Sequence, residues 1–199
     1  MRALPLTTAT LPPATALYRV QRPIPASGPT GHAVGAVHLP AIPARRGRFD
    51  LAGVHVAAFA LDPETAVYET IARAAARAVS LSLLGARELL QVQTTMPLNL
   101  LDARPHAHGW PFVTATRYAA TQDEADDADV LHALFGVVYA CAQRQGAECV
   151  ALFDKPVSAT ATVLATLSGA SAAALHHPSG SLHAAVLAAL IGSQLPLLP

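Results

Sequence analysis

The chain predicts an α+β fold, and two observations carry that expectation. Short apolar stretches of strand length recur between Gly, Pro and Asp punctuation, and two of them flank a hairpin-like turn near residue 145. Between and after them lie segments with helical periodicity, one of which opens on a strong cap signal. A length of 199 residues suits one domain, or one domain with tails. Hydrophobic residues make up 52% of the chain and aromatic residues only 5%, so the core is built mainly from small aliphatic side chains.

Taken in order, residues 1–13 are cut by Pro5, Pro12 and Pro13 and read as an irregular or extended arm. ALYRVQ at 16–21 reads as a strand, and AVGAVHL at 33–39 as a second. GVHVAAFAL at 53–61 reads as a buried strand bounded by Gly and Asp. Asp62 is then suited to cap a helix, Pro63 to its first position and Glu64 to its first turn. That helix is expected to run to about residue 79, with Val67, Ile71, Ala74, Ala75 and Ala78 as its apolar stripe. LLQVQTT at 89–95 alternates as a strand does, and the chain is expected to turn away over 97–104. A polar helix is expected from about 121 to 136. GVVYACA and ECVALFD read as two strands joined by a turn at 144–146. The Ala-, Ser- and Thr-rich segment 158–175 fits strand or helix, and 181–192 has a helical pattern.

Several function classes are disfavoured. With 13 basic and 13 acidic side chains the net charge is zero, against a broad nucleic-acid surface. No apolar run reaches the roughly 18 residues of a membrane span, so a cytoplasmic chain is expected, with no membrane partner. GxGxxG, P-loop, GxSxG, HExxH and CxxC motifs are absent from the sequence. His106 and His108 have no evident acidic or thiol partner nearby, so no metal is expected there. A turn centred on Gln145 places Cys141 and Cys149 opposite one another. A disulfide is compatible with that placement, but a cytoplasmic chain favours free thiols.

The densest chemistry lies in 45–69, RRGRFDLAGVHVAAFALDPETAVYE. A basic cluster (Arg45, Arg46, Arg48) precedes the buried strand, and Glu69 follows on the capped helix, four residues before Arg73. A guanidinium and a carboxylate at one cleft suit a ligand with phosphates at one end and a ribose at the other. Arginine holds phosphate bidentately. A carboxylate binds a ribose hydroxyl, or offsets the positive charge that develops as a glycosidic bond breaks.

Four segments in this order resemble the RES-domain family, the toxin half of a class of bacterial toxin–antitoxin pairs. They are LYRV at 17–20, GRF at 47–49, FALDPETAVYE ending at Glu69, and GVVYAC with CVALFD between 136 and 154. The likeness spans 16 to about 155. It implies a mixed sheet with flanking helices, similar to ADP-ribosyltransferases, built as an arm at 1–15 followed by one RES-like domain at 16–199. It also implies cleavage of the nicotinamide–ribose bond of NAD, with water or phosphate as acceptor. The alternatives are transfer of ADP-ribose to a protein, or a catalytically degenerate binding partner. By this resemblance Arg48 and Glu69 are the family's named arginine and glutamate. Arg19 is a further NAD-binding arginine, and Cys141 takes the place of the family serine in the pocket. Ala58 stands where the family usually carries a tyrosine that stacks on nicotinamide; the residues open to replacing it are His55 and Tyr68. NAD is the substrate, no metal is implied, and the implied partner is an antitoxin of helix-turn-helix type.

Overall fold

A computed structural model describes residues 7–24, 32–39, 49, 54–73, 76–104 and 134–199. The strands are β1 (Thr8–Leu11), β2 (Ala16–Gln21), β3 (His32–Val34), β4 (Val37–Leu39), β5 (Val56–Ala60) and β6 (Val79–Ser80). They continue as β7 (Glu88–Gln93), β8 (Leu98–Asp102), β9 (Gly136–Ala140), β10 (Glu148–Phe153), β11 (Ser168–Ala174) and β12 (Leu197–Leu198). The α-helices are α1 (Pro63–Thr70), α2 (Leu81–Gly85) and α3 (Ala184–Ser193). Among the described residues, eight strands form one sheet in the order β1-β8-β9-β10-β5-β2-β7-β11. β8 and β9 run parallel and the other neighbours antiparallel, so the sheet is mixed and the fold α+β, as expected.

The centre of the sheet is buried on both faces because its central strands are apolar at consecutive positions rather than alternate ones. In β10, Cys149, Ala151 and Phe153 face one core while Val150 and Leu152 face the other. The first core is closed by α1 and α3 through Val67, Ile71, Val186 and Ala189. The second is closed by the β3–β4 hairpin and by the 3-10 turn Leu164–Thr166. Gln21 ties that hairpin down. Its Nε2 donates to the Ala36 carbonyl at 3.0 Å, and its Oε1 accepts from the His38 N–H at 3.0 Å.

Local signals are well obeyed in α1. Asp62 is extended, Pro63 follows it, and the carboxylate accepts from the Thr65 N–H at 2.8 Å and the Thr65 hydroxyl at 2.6 Å. Arg144 from the β9–β10 turn reaches the same cap, 2.9 Å from Asp62 and 2.9 Å from Glu64. These groups are partly exposed, so screening makes the ion pairs minor beside the cap hydrogen bonds. Asp62→Ala is therefore expected to cost about 1 kcal/mol in urea unfolding. Asp62→Asn, which keeps a capping oxygen, is expected to recover most of that loss.

Several expectations are corrected. α1 ends at Thr70, not near 79. The Arg73 guanidinium takes the Glu69 carbonyl at 2.7 Å, and Val79 and Ser80 are drawn into parallel pairing with Leu197 and Leu198. Segment 97–104 does not simply turn away. Leu98–Asp102 is β8, with Pro97 just ahead of the strand, where its missing N–H costs no ladder bond. The arm contributes the edge strand β1, which pairs with β8. Segment 33–39 is a hairpin with Gly35 at φ 57 in its turn, not one strand. Segment 158–175 resolves into the 3-10 turn and β11. The polar helix expected over 121–136, His106, His108, and the basic cluster including Arg48 lie outside the described residues, although Gly136 itself opens β9. Among the described residues, no helix is long and apolar enough to cross a membrane.

Candidate functional site

The site forms where two neighbouring strands part. β2 and β5 share a single paired position, Tyr18 opposite Ala60, whereas β2 stays paired with β7 along its whole length. Beyond Ala60 the Ala58 carbonyl accepts from the Arg19 guanidinium at 2.8 Å. A side chain thus takes up a carbonyl in the region where the seam opens. α1 spans the opening and brings Glu69 to it. The resulting cavity measures about 220 Å³ and is lined by Tyr18, Arg19, Ala58, Glu69, Arg87 and Tyr139 among others.

Arg19 and Glu69, far apart in the chain, thus line one cavity. Each has a buried polar atom without a hydrogen-bond partner among the described residues, Nε of Arg19 and Oε1 of Glu69. An unmet buried polar atom costs about 1–3 kcal/mol, more if charged, so a donor and an acceptor left unmet on residues of one cavity wall mark a site built for something other than stability. Burial lowers the Arg19 guanidinium pKa from its ordinary value; Tyr139 opposes this shift and Arg87 adds to it. Burial also lowers that of Arg87, helped by repulsion from Arg22. Guanidinium stays charged through such shifts. Arg19, Arg73 and Arg87 therefore face one lining carboxylate, Glu69, and the cavity favours an anion.

Glu69 sits on the last turn of α1. The pairing expected with Arg73 is made through the Glu69 backbone carbonyl, and Glu69 lines the cavity. Behind it lie both cysteines, as free thiols. Both sulfurs and a Glu69 carboxylate oxygen lie within 4.8 Å of one another. Contact with Cys141, then burial, pushes the Cys149 thiol far up. Their register is diagonal rather than directly opposite: Cys149 pairs with Tyr139, and the Cys141 N–H donates to Ala147.

Of the residues expected at the site, Arg19 and Glu69 are brought together on the cavity wall, and Cys141 is buried just behind Glu69. Arg48 lies outside the described residues; Phe49, its neighbour in sequence, packs on Tyr139 with ring centroids 4.7 Å apart. Ala58 does line the cavity. Neither His55 nor Tyr68 is a lining residue, so neither fills the place of the absent tyrosine. Tyr139 and Tyr18 supply aromatic rings instead. A signal for Tyr139 is present in the sequence, since a residue two before Cys141 on a strand shares its face. Arg87 carries no such signal. It precedes β7, and only the pairing of β7 with β2 brings it to the wall that also carries Arg19.

A family model described as RES domain matches residues 16–179. The chain belongs to the RES domain family, and the match runs through β11, beyond the limit near 155 expected from the motifs. Among solved structures the chain is similar to one described as the crystal structure of the M. tuberculosis MbcT–MbcA toxin–antitoxin complex. That similarity has a TM-score of 0.49 and 17% identity, covering 82% of this chain and 86% of that one. No curated protein matches the chain.

Proposed function

We propose that this chain is a toxin-type enzyme that cleaves the nicotinamide–ribose bond of NAD. The observation that carries the reading is the convergence of Arg19 and Glu69 in one arginine-rich cavity, each with an unmet buried polar atom. NAD offers a pyrophosphate to the arginines and a ribose next to a cationic ring to the carboxylate. Arg19 and Arg87 hold the phosphates, joined by Arg48 on the strength of the family resemblance. Tyr139 offers the nicotinamide ring a stacking face. Cys141 stands beside Glu69.

In the reaction the bond between ribose C1′ and the nicotinamide nitrogen breaks. Its electron pair leaves with nicotinamide, which departs neutral. C1′ gains oxocarbenium character, and the Glu69 carboxylate offsets that charge. Water or inorganic phosphate then adds to C1′; with water, a proton is released. The acceptor separates a glycohydrolase from a phosphorylase. Such an enzyme depletes its host's NAD, which calls for a cognate antitoxin covering the cleft and for work in the cytoplasm.

The test is to incubate purified chain with NAD, with and without phosphate, and follow free nicotinamide. Steady release supports the reading. No release, with labelled ADP-ribose appearing on a lysate protein, would assign the chain to protein ADP-ribosylation instead. Arg19→Lys is expected to raise KM for NAD about tenfold, because the bidentate phosphate contact and the Ala58 anchor are both lost. The effect on kcat is expected to be smaller, and steady-state kinetics separates the two.

A further inference from the structure

We infer that Glu69, Cys141 and Cys149 form a binding site for one thiophilic divalent cation of the zinc group. Their donor atoms, one carboxylate oxygen and two sulfurs, all lie within 4.8 Å of one another. They come from three elements, the end of α1, the residue after β9, and β10. The diagonal register of the two cysteines turns both thiols to the face on which Glu69 lies. Around zinc, sulfur sits at about 2.3 Å and a carboxylate oxygen at about 2.0–2.2 Å. Tetrahedral donors at those lengths are roughly 3.5–3.8 Å apart. From the present spacing the donors need to close up by roughly 1 Å to reach that geometry.

Charge balance points the same way. Oε1 of Glu69 is buried without a hydrogen-bond partner, and among the described residues no ion pair engages its carboxylate. A cation at this point supplies the missing partner. Two sulfurs in three donors select a thiophilic ion and reject magnesium and calcium, which demand oxygen. Binding releases the two thiol protons, so the ion gains two thiolates and one carboxylate. Glu69 lines the cavity, so the fourth coordination position faces it and remains open to water. An ion held there removes Glu69 from the ribose and inhibits NAD cleavage. This inhibitory consequence rests on the function proposed above, whereas the binding itself does not.

Cadmium serves as the probe, because its thiolate complexes absorb in the ultraviolet. Titrating the reduced full chain with cadmium chloride is expected to give a thiolate-to-metal band that saturates at one equivalent and is displaced by zinc. Cys141→Ser and Cys149→Ser are each expected to lose most of the band while keeping the wild-type far-ultraviolet circular dichroism. Absence of the band, or an undiminished band in both serine variants, would overturn the site. In the same samples, saturation is expected to cut nicotinamide release at least tenfold, with recovery on adding a chelator. An active enzyme whose rate is unchanged at saturation would overturn the inhibition. A metal-free chain that releases no nicotinamide would instead count against the NAD reading, and the band alone then decides the site.

Discussion

Glu69→Gln is expected to lower nicotinamide release from NAD by about 100- to 1000-fold, the range found when one preorganised electrostatic contact to a transition state is removed. Gln keeps the length and shape of the side chain. What it loses is the negative charge, and that charge is needed only as C1′ becomes cationic. The loss is therefore expected in kcat, with KM for NAD nearly unchanged. Parallel steady-state kinetics on wild type and variant, with circular dichroism to confirm folding, checks this. A variant as fast as wild type would remove Glu69 from the chemistry.

Gly136→Ala is expected to produce the largest loss of stability, about 3 kcal/mol in denaturant unfolding. Gly136 opens β9, which lies between β8 and β10. A Cβ at this position would run into the backbone carbonyl of Ala151 and press on Leu100 at 3.2 Å. The first contact is backbone in a central strand, so relief requires the strands to separate. The damage should reach the site, because β9 also places Tyr139 in the cavity. Gly85→Ala is the control: nothing lies within 4 Å of its Cβ position. Replacing that helical glycine is expected to be neutral or to stabilise by up to about 1 kcal/mol. Equal effects at the two positions would contradict the packing described for β9.

The elements legible in the sequence are those whose cause is local. β2 coincides with ALYRVQ, and β9 and β10 pair across the turn expected at 144–146. The Asp62 cap needs only three neighbouring residues, and the tail helix follows from its own periodicity. The end of α1 is not legible, because the alanine-rich run after Ile71 is good helix sequence. Tertiary contacts decide otherwise, as β12 returns from the far end of the chain to pair with Val79. β8 escapes a sequence reading for a related reason. It closes on Asp102, and its parallel partner β9 opens only at Gly136, too far along the chain for a local signal.

By itself the sequence determined the α+β character, the capped start of α1, the β9–β10 hairpin and the candidacy of Glu69 and Arg48, while Arg19 was a candidate only through the family resemblance. Each depends on period, caps or short motifs that neighbouring residues carry. Only the tertiary structure decided that β2 and β5 part after one paired position, that Arg87 and Tyr139 join Arg19 and Glu69 in the opening, and that the two thiols stand behind the carboxylate. The reason is physical. A cavity is set by where strands from distant parts of the chain stop pairing, and its charge by which side chains that divergence exposes together. Neither quantity is carried by any one stretch of residues.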